Sequence, residues 1–573
     1  MIANRVYQFG AFRLDTGGRL LFREGERLAL APKSIELLIA LVEQQGNAVG
    51  KDELLRKVWA DTIVEEGSLT SHISLLRRSL GEHCIETIPK RGYRFVEPVV
   101  QVTESQTPPP KVQSLAVLPL ETLGRDPDGD GLADAMTEAL ITDLAKISAL
   151  RVVSRTSVMR YRNTQKSPPE IGKELGVDAI MEGSVQREGN RVRINARLVA
   201  ASTDRYLWAD TYDRDLQDVL ILQNELARTI SQQIQVKLTP EEHARLSSSR
   251  TVKPEAYQLY IRGRHFWVQR TEESLNRAIA YFQQAIERDP GYAAAYSGLA
   301  DCYSSLGFSF DVGSERPADV QPKAKVAALK AIELDDSLAD AHNSLAYVNL
   351  IYDWDWSKAE ERFKRSLELN PGCANGHHWY AHLLFSLCRL NEAMTESLRA
   401  LEFDPLSPIM NLHLGWHHFY SRQYDLALDQ LARTLELEPN YGLAHWYRGL
   451  AYEQKGMYGD ALRELGKAKT LLKTTPAVAA NLGHLYAVSG NKSKAEQVIA
   501  HLQSESTRRY VNPYEIALIY VGLGRNEQAF EWLDTALRER SDMLVYLRVD
   551  PRLDSIRSDF RFADLQRRVG IPH

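Results

Sequence analysis

The chain has 573 residues, enough for three or more domains at the usual size of ~100–200 residues each. Hydrophobic residues make up 44% and charged residues 25%, the balance of an ordinary globular protein. The net charge of −5 excludes a global basic field that would drive the chain onto nucleic acid or an anionic membrane.

The charge is unevenly spread. Residues 1–100 carry 14 basic against 13 acidic side chains, and the remaining 473 carry 56 against 62. A nucleic-acid site must therefore be local, and the N-terminal end is the better place for it. The four cysteines, Cys84, Cys302, Cys373 and Cys388, form no C-x-x-C pair, which argues against a disulfide framework or a zinc finger and fits a reducing cytoplasm. The opening MIANRVYQFGAFRLD has no apolar core of a secretory signal, and no run approaches the ~18 apolar residues of a membrane helix. No membrane partner is expected.

Residues 1–100 begin with short alternating runs, Val6–Phe9, Ala11–Leu14, Arg19–Phe22 and Arg27–Leu30, broken by glycine turns, which predicts a small antiparallel sheet. Pro32 opens a helix to about Gln45 with Ile35, Leu38, Leu41 and Val42 on one face. A second helix covers Lys51–Trp59. A third runs from about Ser68 to Leu80 and stops at Gly81. CIETIPKRGYRFVEP reads as two strands around a basic turn. Four strands, three helices and a hairpin are the order of a winged helix-turn-helix.

At 100° per residue, Leu69, Ile73, Leu76 and Leu80 of the third helix form one apolar stripe. Opposite lie Ser71, Ser74, Leu75 and Arg78, flanked by Thr70, His72 and Arg77. A major-groove helix needs small polar groups for close approach, a long donor for guanine and an apolar group for a thymine methyl, and this face has all three. A solvated amphipathic helix would show the same angles.

Residues 101–113, QVTESQTPPPKVQ, read as a semi-extended linker. Residues 114–238 open with the buried-strand run SLAVLPL. A helix Leu132–Ile147, a strand Leu150–Val153, a helix from Pro169, a hairpin around Gly189-Asn190 and a helix Leu216–Leu238 follow. This is an α/β module. Asp126, Asp128 and Asp130 in DPDGDG have D-x-D-x-D-G spacing, but the twelfth loop position is Thr137, and a polar turn is the better reading than a calcium loop. Residues 239–252, TPEEHARLSSSRTV, read as a second linker, helical at its start.

Residues 253–573 are a repeat array. Alanines 359, 393, 427, 461, 495 and 529 are each 34 apart, with Ala381, Gly415, Gly449, Gly483 and Ala517 twelve before five of them. Two earlier units carry Ala278 and Ala324, the latter unit with an insertion near GFSFDVGSERPA. Period 34 with small residues at helix contacts is the tetratricopeptide signature, in about eight units. The fold class is thus multidomain, α+β and all-α: a winged helix, an α/β module and an α-solenoid.

In the repeat frame, positions expected on the concave face include Tyr347, His378, His382, Phe385, Trp416, Phe419 and Trp446, an aromatic and histidine-rich strip. Such faces bind extended partners, so the strip is a candidate groove for a peptide or an apolar ligand; packing between helices would use the same residues. His378/His382 and His413/His417 are i,i+4 pairs, but HWYAH lacks the glutamate of H-E-x-x-H, and no metal is expected. No catalytic constellation, phosphate loop or dinucleotide fingerprint occurs, so neither an enzyme nor a cofactor is expected.

The segments PKSIELLIALVEQQGNAVGKDELLRKVW, SLTSHISLLRRSLG and IETIPKRGYRFV resemble the OmpR/PhoB-type winged-helix effector domain, in its CadC- and ToxR-like variant. The resemblance implies DNA contacts by the third helix, a wing tip at Lys90 and Arg91 beside the minor groove, and a Trp59 that either donates to a phosphate or packs in the core; Arg94 could contact phosphates or pack. SLAVLPLETL, GLADAMTEALITDLAKI, LGVDAIMEGSVQREGNRVRINARLV and LWADTYDRDLQDVLILQNELA are similar to the TolB N-terminal-like module. Neither a receiver domain before the winged helix nor a membrane helix after it is expected. Together the resemblances imply a cytoplasmic one-component regulator that binds double-stranded DNA, with RNA polymerase, a partner on the repeats and a homo-oligomer as further associations; the alternative is a tetratricopeptide scaffold whose winged helix mediates protein contacts.

Overall fold

The computed structural model describes residues 6–16, 20–23, 26–28, 30, 32–44, 46–59, 66–89, 91–102, 112–123, 129–189, 191–215, 218–236, 238–247, 252–309, 313–473 and 475–572. They form two compact units, residues 1–111 and 112–573.

The first unit holds strands β1 (Val6–Phe9), β2 (Phe12–Asp15), β3 (Leu20–Arg23) and β4 (Glu26–Arg27), then helices α1 (Pro32–Val42), α2 (Lys51–Val58) and α3 (Glu66–Leu80). A hairpin, β5 (Ile85–Ile88) and β6 (Gly92–Phe95), follows. A further strand, β7 (Val100–Val102), returns antiparallel to β1, so the sheet runs β4-β3-β2-β1-β7. Gln101 and Val102 of the expected linker thus belong to a sheet edge, and residues 103–111 lie outside the described residues. The apolar stripes of α1 and α3 meet beneath the sheet: Leu38, Leu41, Leu69, Ile73 and Leu76 are buried with Tyr7, Phe9 and Leu14.

The hairpin is locked to the helices. Val49 and Tyr93 exchange backbone hydrogen bonds of 2.8 and 3.0 Å. Gly92 makes this possible: its φ is +132°, and a Cβ there would lie 1.9 Å from the Val49 carbonyl oxygen.

The second unit opens with a mixed sheet. Strands β8 (Ser114–Val117), β9 (Glu121–Leu123), β10 (Arg151–Val152), β11 (Ala179–Glu188), β12 (Arg191–Ala200) and β13 (Arg205–Asp215) are ordered β10-β8-β11-β12-β13, with β9 beside β11. Helix α4 (Gly129–Ala145) packs on β9 and β11. Helices α5 (Arg155–Val158) and α6 (Pro168–Leu175) follow, and α7 (Val219–Gln233) packs on α4 and β13. Asp126 and Asp128 of the aspartate-rich loop lie outside the described residues.

Residues 239–252 are not an open joint over their described length. Helix α8 (Pro240–Ser247) is anchored by Glu242, a buried carboxylate that accepts from Ser148 N (2.9 Å), Ser148 Oγ (2.7 Å) and Thr239 N (2.8 Å).

The array is eight antiparallel helix pairs among the described residues. They are α9 (Pro254–Trp267) with α10 (Glu272–Arg288), α11 (Ala293–Leu306) with α12 (Pro317–Leu334), and α13 (Ala339–Val348) with α14 (Trp356–Leu369). Then come α15 (Ala374–Ser386) with α16 (Leu390–Phe403), α17 (Pro408–Tyr420) with α18 (Tyr424–Leu437), and α19 (Gly442–Gln454) with α20 (Tyr458–Leu471). The last are α21 (Pro476–Val488) with α22 (Lys492–Glu505) and α23 (Pro513–Gly522) with α24 (Asn526–Arg538). The periodic alanines are all buried. A Cβ at Gly415 or Gly449 would sit 2.8 or 2.6 Å from a leucine Cγ of the paired helix, which is why the position is small.

The α/β module docks on this array. Asp404 Oδ1 accepts from Ser157 N (3.0 Å) and Oγ (2.6 Å), Ser154 N donates to Phe403 O (2.7 Å), and Arg264 pairs with Glu138 (2.6 Å). Burial raises the Asp404 carboxyl above its ordinary range, against the lowering effect of those serine donors.

After α24 the chain turns back in two 3-10 turns, Asp542–Tyr546 and Pro551–Ile556, and a last helix α25 (Phe560–Arg568). This return segment is tied to widely separated pairs. Asp542 accepts from Ser309 N and Oγ (2.9 and 2.7 Å), Arg552 donates to Asn481 (2.6 Å), and Trp356 Nε1 donates to Val569 O (3.3 Å).

Candidate functional site

Helix α3 carries its polar face outward. Thr70, Ser71, Ser74, Leu75 and Arg78 are exposed above the buried stripe. The Ser71 hydroxyl donates to Gly67 O (2.9 Å) and that of Ser74 to Thr70 O (3.0 Å), one turn back. Both serines thus offer lone pairs outward. Among the described residues, no hydrogen bond or ion pair engages the Arg78 guanidinium.

Two residues of the expected face point elsewhere. His72 turns inward: its Nδ1 meets Ser34 Oγ at 2.8 Å, and its ring packs on Trp59 at 5.4 Å. At its flanking angle, the buried hydroxyl on α1 is a closer partner than solvent. Arg77 ties the helix to the hairpin, donating from Nε to Ile85 O (2.9 Å) and from Nη2 to Thr87 Oγ1 (2.8 Å).

Trp59 caps α2 and is 8% exposed, a core side chain more than a surface donor. Arg91 is exposed at the wing tip, whereas Lys90 lies outside the described residues. Arg94 is half-exposed and ion-paired with Glu86 across the hairpin.

The aromatic strip of the array is not an open groove. Tyr347, His378, His382, Phe385, Trp416, Phe419 and Trp446 are all buried. The return segment covers part of it: the Tyr546 ring packs on Trp416 (5.0 Å) and Tyr420 (5.9 Å), and its hydroxyl meets His382 Nδ1 at 2.9 Å. The insertion in the second unit also contributes, with Phe308 against Tyr347 (5.4 Å) and Trp379 (5.5 Å). The periodicity gave no sign that a segment beyond the last helix pair would cover Trp416 and His382.

Open space remains beside the strip. A cavity of about 710 Å³ lies between the α/β module and the array, lined among others by Glu138, Arg264, Trp267, Arg270, His378 and His413. Sequence periodicity gave no signal for it, because about a quarter of its lining residues come from another domain.

The histidines regroup across helices. His378, His382 and His413 come together, with His382 Nε2 3.1 Å from His378 Nε2 and 2.9 Å from His413 Nδ1. His417 instead stacks on Phe385 (4.1 Å) and bonds Ser397. Burial holds His378 and His382 well below the ordinary imidazole range, helped by the mutual proximity of the cluster. Burial and the Arg270 charge bring His413 down to about 3. All three imidazoles are therefore neutral at pH 7.

A winged helix with an exposed polar third helix, followed by stacked helix pairs of period 34, defines an OmpR/PhoB-type DNA-binding domain joined to tetratricopeptide repeats. The comparisons agree: residues 25–95 match the family described as transcriptional regulatory protein, C terminal, and residues 270–307 and 412–469 match tetratricopeptide repeat families. The chain is a homologue of the transcriptional regulator HilA of Salmonella typhimurium, 27% identical over 97% of this chain and 99% of that protein. It is 36% identical to the transcriptional activator CadC of Escherichia coli over 18% of this chain and 23% of that one. It is also 38% identical over 242 residues to a putative adenylate cyclase 3 of Rhizobium meliloti, spanning 42% of this chain and 41% of that protein's length. Among the described residues, no helix is long and apolar enough to cross a membrane.

Proposed function

We propose that the protein is a cytoplasmic, one-component transcriptional regulator that reads DNA sequence through α3. The exposure of Thr70, Ser71, Ser74, Leu75 and Arg78 together on one helix face carries the reading. Arg78 supplies paired donors for the O6 and N7 of a guanine, and Leu75 suits a thymine methyl. With their protons directed back into the helix, Ser71 and Ser74 suit the exocyclic amines of adenine or cytosine. Lys90 and Arg91 add phosphate or minor-groove contacts from the wing.

Residues 112–573 act without catalysis, as the body that receives a signal and holds partners. Its α/β part resembles the TolB N-terminal-like module. A protein partner on the outside of the repeats, RNA polymerase at the promoter and a second copy of the chain are the associations that fit a regulator. Selection of duplexes from a random pool by the purified full chain tests the reading. One enriched motif, still bound over random competitor, is expected. Enrichment of none, or equal competition by random DNA, rejects base readout by α3.

A further inference from the structure

The histidine trio raises a hydrogen-bonding problem. A neutral imidazole has one N–H and one lone pair. His382 Nε2 faces two nitrogens at once, at 3.1 and 2.9 Å. If it carries the proton, its single N–H serves one neighbour and leaves the other without a partner there. If it does not, two donors share a single lone pair. His378 Nδ1 adds to the frustration, being buried with no hydrogen-bond partner. Neutral nitrogens that converge this closely inside a protein are expensive unless something sits between them.

We propose that His378 Nε2, His382 Nε2 and His413 Nδ1 form a three-imidazole site for a divalent transition metal ion, Zn²⁺ by preference, with a fourth position open to the neighbouring cavity. The nitrogens lie within 4.8 Å of one another, and the residues come from two rigid helices, α15 and α17. Zn–N bonds of ~2.0–2.1 Å set tetrahedral N···N separations of about 3.4 Å, so the His382–His378 and His382–His413 contacts need to open by only a few tenths of an ångström. Imidazole ligands suit Zn²⁺ and its first-row neighbours and do not suit Mg²⁺ or Ca²⁺. An ion would remove the conflict, since all three lone pairs would point at it. His382 Nδ1–H would then donate to the Tyr546 hydroxyl, a second-sphere partner at 2.9 Å.

His378 and His413 line the 710 Å³ cavity, which places the fourth position on that side. Arg270 stands there, stacked on Trp267 at 4.3 Å and bonded to Ser305 Oγ at 3.1 Å. With no carboxylate among the three ligands and a guanidinium close by, the open position would hold an anion, either hydroxide or the acidic group of a small molecule in the cavity.

The test uses the purified full chain, stripped by chelator and then titrated with Zn²⁺ alone by calorimetry and with Co²⁺ by visible absorption. One ion per chain, with an intense tetrahedral Co²⁺ spectrum that Zn²⁺ abolishes, is expected. His413→Gln and His378→Gln should each weaken binding at least ~100-fold. Tyr546→Phe should weaken it by roughly 10–100-fold. His501→Gln, on an exposed side chain, should leave it unchanged. No stoichiometric ion, an octahedral Co²⁺ spectrum, or equal binding by wild type and His413→Gln would overturn the site. If the glutamine variants fail to fold, the wild-type Co²⁺ spectrum and its displacement by Zn²⁺ still decide.

Discussion

Arg77 and Arg78 are neighbours on α3 with different partners. Arg77 spends its donors on Ile85 and Thr87, while Arg78 is exposed. Arg78→Ala should therefore weaken binding to the selected motif by ~1–3 kcal/mol and binding to random duplex much less, measured by parallel titrations. Equal losses on both duplexes would make it a phosphate contact. Gly92 is the residue on which the wing depends, through the Val49–Tyr93 bridge. Gly92→Ala combines a left-handed φ with a clash on backbone. It should lower the stability of the first unit by at least ~1–3 kcal/mol, read from denaturant unfolding of that domain's signal.

At the scale of elements, the wing and the docking turn make separable contributions. Lys90→Ala with Arg91→Ala should reduce the slope of log K against log salt by about two, one per phosphate neutralised. An unchanged slope would remove both residues from the DNA. Asp404→Ala should destabilise the second unit by about 1.5–3 kcal/mol, because it strands two donors of Ser157 and removes a bond to a charged acceptor. Many elements were legible in the sequence because local periodicity controls them. The α3 stripe, the hairpin at Gly189-Asn190 and the 34-residue alanine spacing all reflect contacts repeated every few residues. Strands β7 and β13 were not legible, β7 because it is short and held by residues far along the chain, as Val102 is by Val6, and β13 because it is charged and breaks the alternating pattern. The outward face of α3 followed from angles alone. The inward turn of His72 did not, because it needs knowledge of Ser34 on another helix.

Over the whole molecule, three blocks of sequence become two units. The α/β module and the repeats share buried polar contacts, Ser157 with Asp404 among them, whereas residues 1–111 have their own core. Calorimetry of the full chain should show two unfolding transitions, and a fragment of residues 1–111 should reproduce one of them. Three transitions would mean that the module and the array unfold independently. The array alone, residues 253–573, should lose solubility when the module that covers its cavity wall is removed.

The return segment of residues 541–556 sets an order of events during synthesis. Trp416 and His382 leave the ribosome some 130 to 160 residues before Tyr546, which packs on one and bonds the other. At ~5–20 residues per second, the inner face of the half-built array waits for roughly 6 to 30 seconds with its aromatic side chains uncovered. Nascent chains stalled before residue 541 should therefore be recognised by chaperones and proteases as unfinished, even with all eight helix pairs already made. The inner face is covered only once residues 541–556 have been added, and it is then that quality control should release the chain.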